Sequence, residues 1–255
     1  MADTVVLIHG AWLTPSVWDR FRQRYEAAGM TVIAPPWPCF DRPIDALRAR
    51  PDPRLARLGL RAIVDHHAAL VEALPHPPIL IGHGFGGLVA QLLLDRGLGA
   101  AGVAIASAPP FGVAPRPPAL WTALPTLFGW NRVLRLSQRS FSHGFAQTLP
   151  AAEKSYVYEK FVVPAPGRIF VETLFGIGTR LRGRTSARAP LLLIAGAEDR
   201  TAPPGMVRAN HRRQRRAPSV TAFHLFPGRS HWLCNERGWE DVADRALGWA
   251  VEHTR

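Results

Sequence analysis

Histidine and carboxylate side chains are the ones in this 255-residue chain best suited to moving a proton. A carboxylate that orients an imidazole and stabilises its protonated form leaves the other ring nitrogen free to act as a base. His231 lies in Gly228-Arg229-Ser230-His231-Trp232 and Asp199 in Gly196-Ala197-Glu198-Asp199, where Glu198 is the adjacent carboxylate. A third cluster, Ile79-Leu80-Ile81-Gly82-His83-Gly84-Phe85-Gly86-Gly87-Leu88, ends an apolar run in glycines and then opens an apolar helical pattern. Glycines at such a strand-to-helix turn serve two chemistries. One cradles a phosphate, and Gly82, Gly84 and Gly87 match G-x-G-x-x-G. The other is a nucleophile elbow, G-x-S-x-G, which needs a serine where Gly84 stands.

The dinucleotide reading requires an acidic residue about 20 positions further on, at the end of the next strand, to hold a ribose hydroxyl. That strand ends in Ala106-Ser107-Ala108-Pro109 with no carboxylate; Asp95 comes too early and Arg116 lies well beyond. The fingerprint also ordinarily opens the first strand–helix unit, and here it opens the third. The elbow reading meets its demands except for the nucleophile, because glycine has no side chain with which to form an acyl-enzyme. An elbow residue is held at positive φ, a strain that glycine relieves. Ser107, Ser230 and Cys39 are alternative nucleophiles by residue type, but none sits on the turn.

The elements that must position these residues alternate between apolar strands and helical patterns, the signature of an α/β fold with a parallel sheet. Strands are predicted at Thr4–Ile8, Thr31–Ala34, Pro78–Gly82, Gly102–Ser107, Pro190–Ala195 and Thr221–Phe226, nearly all apolar, as strands covered on both faces should be. Helices are predicted near Val17–Ala28, Leu55–Leu74, Gly87–Asp95, Met206–Arg216 and Trp239–Glu252, with Ile63, Leu70, Val71 and Leu74 on one face of the second. From Pro109 to Ala189 no clear strand is evident, and short helical patterns rich in Trp, Phe, Pro and Arg succeed one another. A structureless loop of that length is uncommon in a compact domain. The expectation is a core of residues 1–108 and 190–255 with a helical cap inserted at 109–189.

With these elements in place the chain resembles the α/β-hydrolase superfamily over essentially its whole length. The resemblance rests on four motifs in order, each after a predicted strand: His9-Gly10-Ala11-Trp12, Gly82-His83-Gly84-Phe85-Gly86-Gly87, Gly196-Ala197-Glu198-Asp199 and Gly228-Arg229-Ser230-His231-Trp232. The resemblance implies an α/β-hydrolase fold with a mostly parallel sheet of about six strands, helices on both faces and an inserted cap. It implies that the backbone N–H groups of Ala11 and Phe85 form an oxyanion hole and that Asp199 orients His231 as the base. Gly84 occupies the nucleophile position, His83 is turned into the structure, and His9 is a scaffold residue. Trp12, His83 and Trp232 are expected at the substrate pocket; Trp37, Trp121 and Trp130 are further candidates whose default is packing. No cofactor and no metal are implied.

Three classes of function fit a site with this one departure. His231 could act as a general base, without covalent catalysis, on a small or medium apolar carbonyl or ester compound. The chain could instead be a non-catalytic ligand- or partner-binding member, or a serine esterase inactivated at Gly84.

Bulk properties narrow the rest. The opening residues lead directly into a strand pattern, no apolar run approaches the ~18 residues of a bilayer span, and the expectation is a soluble cytoplasmic protein that binds a small molecule and no membrane. Two cysteines, Cys39 and Cys234, make neither a disulfide framework nor a metal set. The formal net charge is +12, yet all but Lys154 and Lys160 of the 31 basic residues are arginines spread along the chain. The densest patch, His211-Arg212-Arg213-Gln214-Arg215-Arg216 with Arg208 one turn earlier, lacks the interleaved aromatics of a single-strand platform. It reads as a solvated helix face rather than a nucleic-acid site.

Overall fold

The structure, a computed structural model, describes residues 2–114, 128–182 and 188–254. Trp121 and Arg116 lie outside them. The strands in chain order are β1 (Thr4–Ile8), β2 (Thr31–Ile33), β3 (Ile79–His83), β4 (Ala101–Ile105), β5 (Val133–Leu134), β6 (Ala165–Pro166), β7 (Leu191–Gly196) and β8 (Thr221–Phe226). The helices of the described residues are α1 (Asp19–Ala27), α2 (Ile44–Ala49), α3 (Leu60–Glu72), α4 (Phe85–Asp95), α5 (Gln138–Gly144), α6 (Ala151–Phe161), α7 (Arg168–Leu174), α8 (Pro204–Gln214) and α9 (Trp239–His253).

Six strands form one parallel sheet in the order β2-β1-β3-β4-β7-β8. β3 and β4 are buried along their whole length, whereas β8, at the edge, is half-buried throughout and so departs from the expectation of strands covered on both faces. From β1 the chain moves outward to β2 and then returns to the other side of β1 to make β3. In open α/β sheets a reversal of this kind opens a crevice at the carboxyl ends of the two central strands. Gly10–Trp12 come directly after β1 and Gly84–Phe85 directly after β3, so two of the four motifs meet there.

The predicted second helix is in fact two pieces. Pro53–Arg57 makes a 3-10 turn, Gly59 is extended at φ −98°, ψ 165°, and α3 begins at Leu60. Its start is set from a distance: the buried Glu172 of α7 accepts the Leu60 N–H at 2.7 Å and is held by the Arg168 guanidinium, also at 2.7 Å. The buried stripe of α3 is Leu60, Ile63, Val64, His67, Ala68 and Val71. Leu70 is 39% exposed, contrary to expectation, because a seven-residue step drifts about 20° around a helix and carries it past the edge of the stripe that Ile63 occupies. The first predicted helix likewise opens with a 3-10 turn, Pro15–Trp18.

Between β4 and β7 the described residues hold α5, α6 and α7 with a two-residue antiparallel ladder, β5 against β6. Arg48, at the end of α2, donates to the carbonyls of Tyr158 and Val162 and so satisfies the last turn of α6. Because Glu172 supplies an acceptor to a buried helix start, Glu172→Ala is expected to lower unfolding free energy by about 1–3 kcal/mol. Urea titration with an unchanged m-value would show this.

Candidate active site

The turn after β3 is built by close backbone approach. A Cβ at Gly82 would lie 2.0 Å from the Gly86 carbonyl oxygen, and one at Gly86 would lie 2.0 Å from that of Ile8. No side chain can occupy either position without moving main chain. Gly84 is different. Its φ of 57° and ψ of −119° place it in a region that non-glycine residues enter only under strain. Yet a Cβ there would meet nothing closer than His231 Nε2 at 3.5 Å, an ordinary contact. The backbone of Gly84 is pinned by β4 and the short segment beyond that strand: its N–H donates to Ile105 O at 3.0 Å and its carbonyl accepts from Ala108 N at 2.9 Å. Three of the four glycines in the run are thus crowded, since a Cβ at Gly87 would touch Ser107 Cβ at 3.0 Å. Only at Gly84 does the space admit a side chain.

His231 Nδ1 donates to Asp199 Oδ2 at 2.8 Å, with both side chains almost wholly buried. The other carboxylate oxygen of Asp199 accepts from Thr201 N at 2.8 Å and Ala202 N at 2.7 Å, so the carboxylate is fixed on both sides. This bonding places the ring proton on Nδ1 and the lone pair on Nε2, which points to the Gly84 side of the turn. Glu198, the competing carboxylate, is exposed. Phe145 lies edge-on to the His231 ring at 4.5 Å, and its carbonyl accepts the Trp232 N–H at 3.0 Å. Residues between β4 and β7 therefore help to hold the imidazole.

His9 and His83 are both buried and both neutral. His9 donates from Nδ1 to Gly10 O at 3.0 Å and accepts the Trp37 N–H at Nε2 at 3.1 Å, an assignment that fixes one tautomer. Burial lowers its pKa from 6.5 to about 3. His83 donates from Nε2 to the backbone oxygen of His231 at 2.8 Å, and burial, reinforced by the neighbouring His231, lowers its pKa to about 3. Both residues are scaffold: one joins the β1 turn to the segment after β2, the other joins the β3 turn to the His231 loop.

A cavity of about 650 Å³ opens over these turns and is lined by Gly84, His231, Ala11 and Phe85 together with mostly apolar side chains, among them Trp12, Phe145, Phe170 and Met206. Phe85 is the first residue of α4, so its N–H has no acceptor within the helix. The Ala11 N–H likewise meets no acceptor among the described residues. Trp12 has φ 62°, unusual for a bulky side chain, and stacks on Phe170 at 4.5 Å while its carbonyl accepts from Val163 N at 2.9 Å.

The structure brings His231, Gly84, Ala11, Phe85, Trp12 and His83 together at this cavity, with Asp199 bonded to His231 outside its lining, and it places Trp232 elsewhere. That indole is buried between Phe141 and Phe161 on the far side of the His231 loop and does not line the cavity. Trp37 stacks on His9 at 4.8 Å and Trp130 is exposed, so neither lines it. The other nucleophile candidates are occupied or distant. Ser107 Oγ accepts from Gln91 and donates to Ala108 O, Ser230 Oγ donates to Glu236, and Cys39 is not at the cavity. Phe145 and Phe170 belong to the site but to no local motif, so nothing in the sequence pattern singles them out. Among the described residues no group of three or more His, Cys, Asp or Glu is placed to hold a metal ion, and no helix is long and apolar enough to cross a membrane.

A family model described as the alpha/beta hydrolase family matches residues 5–245, and the chain belongs to that family. Solved structures share the fold along nearly the whole chain. A monoacylglycerol lipase from Paleococcus ferrophilus is 20% identical with TM-score 0.73, covering 99% of this chain and 96% of its own. A thermophilic esterase from Thermogutta terrifontis is 18% identical with TM-score 0.70, covering 99% and 90%. A pyrethroid hydrolase from Sphingobium faniae JZ-2 is 18% identical with TM-score 0.67, covering 98% of each chain. No curated protein sequence matches.

The turn and the buried histidines each lead to an expected outcome. Gly84→Ser should fold with a cost of about 1–3 kcal/mol from φ strain, whereas Gly86→Ala should give little or no folded protein; denaturant titration of the two variants separates these outcomes. Unfolded histidines take up protons near 6.5, but His9 and His83 stay neutral in the fold to about 3, and His67, also lowered by burial, to about 4. Protons therefore favour the unfolded chain below pH 6.5, and stability should fall with pH by about 1.4 kcal/mol per unit per histidine. Urea midpoints measured between neutral pH and pH 5 would register the decline.

Proposed function

We propose that the chain is an enzyme in which His231, oriented by Asp199, acts as a general base on a small or medium apolar carbonyl or ester compound without forming a covalent acyl-enzyme. The observation that carries this reading is the 3.5 Å between His231 Nε2 and the position a Cβ at Gly84 would take. The free nitrogen of the acid–histidine pair faces the space at the turn where Gly84 carries no side chain. The substrate, or a water molecule beside it, supplies the proton that Nε2 removes.

The charge that develops on the carbonyl oxygen is met by the N–H groups of Ala11 and Phe85. They flank the same cavity and have no other acceptor among the described residues, and preorganised donors of this kind are commonly the largest catalytic term. Asp199 stabilises the imidazolium, which then returns its proton to the leaving oxygen or to carbon. With water as the nucleophile the reaction is hydrolysis; with an acidic C–H on the substrate it is enolisation or lyase chemistry. Residues 109–189 act as a cap over a core of 1–108 and 190–255, a role supported by Phe145 against His231 and Phe170 against Trp12. The apolar cavity lining supports an apolar substrate.

The lyase-like half-reaction can be observed without knowing the natural substrate. Cyclohexanone in deuterated buffer should exchange its α-protons faster with the protein than with buffer, and His231→Ala should abolish the difference; no exchange above buffer would remove the base role. Introducing Gly84→Ser should produce a burst of p-nitrophenol from p-nitrophenyl butyrate, at least about 1,000-fold above the unsubstituted chain. That burst should vanish in the Gly84→Ser, His231→Ala double variant.

A further inference from the structure

The mouth of the cavity carries an apolar patch that faces outward. Phe111 and Leu174 line the cavity, yet they are 38% and 42% exposed, and Phe175 and Ile177, in the turn after α7, are 66% and 49% exposed. The patch is continuous. The Phe111 N–H donates to Thr179 O at 3.0 Å, and a Cβ at Gly176 would stand 2.0 Å from the Phe111 ring, so that ring lies directly on the turn bearing Phe175 and Ile177.

Arginines border the patch. The Arg180 guanidinium sits 4.4 Å from the centroid of the Phe111 ring. On the other side of Phe111, Arg213 of α8 reaches to within 2.8 Å of where a Cβ at Gly112 would be. That contact places Arg213 at the edge of the cavity mouth, since Gly112 lines the cavity. Residues 96–152, 173–197 and 200–235 contain no Asp or Glu at all. The segments that make the patch and its border are therefore purely cationic, within a chain of net charge +12.

We infer that this face docks on the surface of an anionic lipid bilayer, with Phe175 and Ile177 entering the headgroup–acyl boundary and the arginines pairing with lipid phosphates. Exposed aromatic and aliphatic side chains ringed by cationic groups are the combination that binds such surfaces, where each basic residue and each buried apolar group adds to the affinity. The alternatives fit less well. A second copy of the chain would oppose two acid-free cationic faces, and a nucleic acid would use the arginines without requiring large apolar side chains in solvent. Docking in this orientation would set the cavity mouth against the bilayer, where an apolar substrate is concentrated. The inference stands independently of the reaction proposed above, because it concerns the rim and not the His231 pair.

Vesicle co-sedimentation tests it, with phosphatidylcholine vesicles against vesicles of phosphatidylcholine mixed with phosphatidylglycerol. The protein should sediment with the mixed vesicles and not with the neutral ones. Phe175→Ser with Ile177→Ser should weaken that binding at least about tenfold, as should Arg180→Glu with Arg213→Glu, while the thermal unfolding of each variant stays close to that of the parent. Failure to bind the mixed vesicles at low salt would overturn the inference. So would undiminished binding by the Phe175/Ile177 variant, which would mark a purely electrostatic polyanion surface. A concentration-dependent dimer in light scattering, lost in that same variant and accompanied by no vesicle binding, would assign the face to a second copy instead.

Discussion

The first turn of α4 lies so close to the end of β1 that main chain packs on main chain, and the rest of the site depends on that approach. With Gly86 against the Ile8 carbonyl and Gly82 against the Gly86 carbonyl, the chain can pass from β3 to α4 only through a tight reversal at positive φ. That reversal aims the side-chain direction of residue 84 out of the sheet and towards His231. It also places Phe85, like Ala11, in the lining of the cavity. The packing needs no catalytic side chain to sustain it, which is why the geometry of an elbow persists around a glycine.

Charge is managed at this site by keeping most of it out. His9 and His83 give up their protons to burial and serve as neutral connectors between turns, His9 bonded at both ring nitrogens and His83 at Nε2. Asp199 is the anionic exception, and two backbone N–H groups and an imidazole satisfy it. An apolar cavity around one oriented carboxylate–imidazole pair is a setting in which a single proton transfer is strongly felt, because little solvent is present to screen it.

The six strands, their parallel sense and the four motifs were legible from sequence, because apolar runs mark buried strands and glycine marks the crowded turns. Boundaries set by distant residues were not. Nothing near Leu60 announces that Glu172 will supply its acceptor, and the ladder of β5 and β6 is too short to leave a period. Trp232 shows the limit of reasoning from adjacency. Next to His231 in sequence, it points the opposite way and packs on Phe141 and Phe161. The aromatic wall made by Phe145 and Phe170 was invisible for the complementary reason, since each comes from a segment with no motif and reaches the site only through tertiary packing.

The room beside Gly84 has a genetic counterpart. Glycine and serine codons can differ by one base, and the fold around residue 84 already accommodates the larger side chain without displacing any atom of main chain. Glycine and serine versions of this turn are thus neighbours in mutational space, with no rebuilt scaffold between them. A lineage carrying this turn can exchange one residue for the other in a single step and reverse it by the same step.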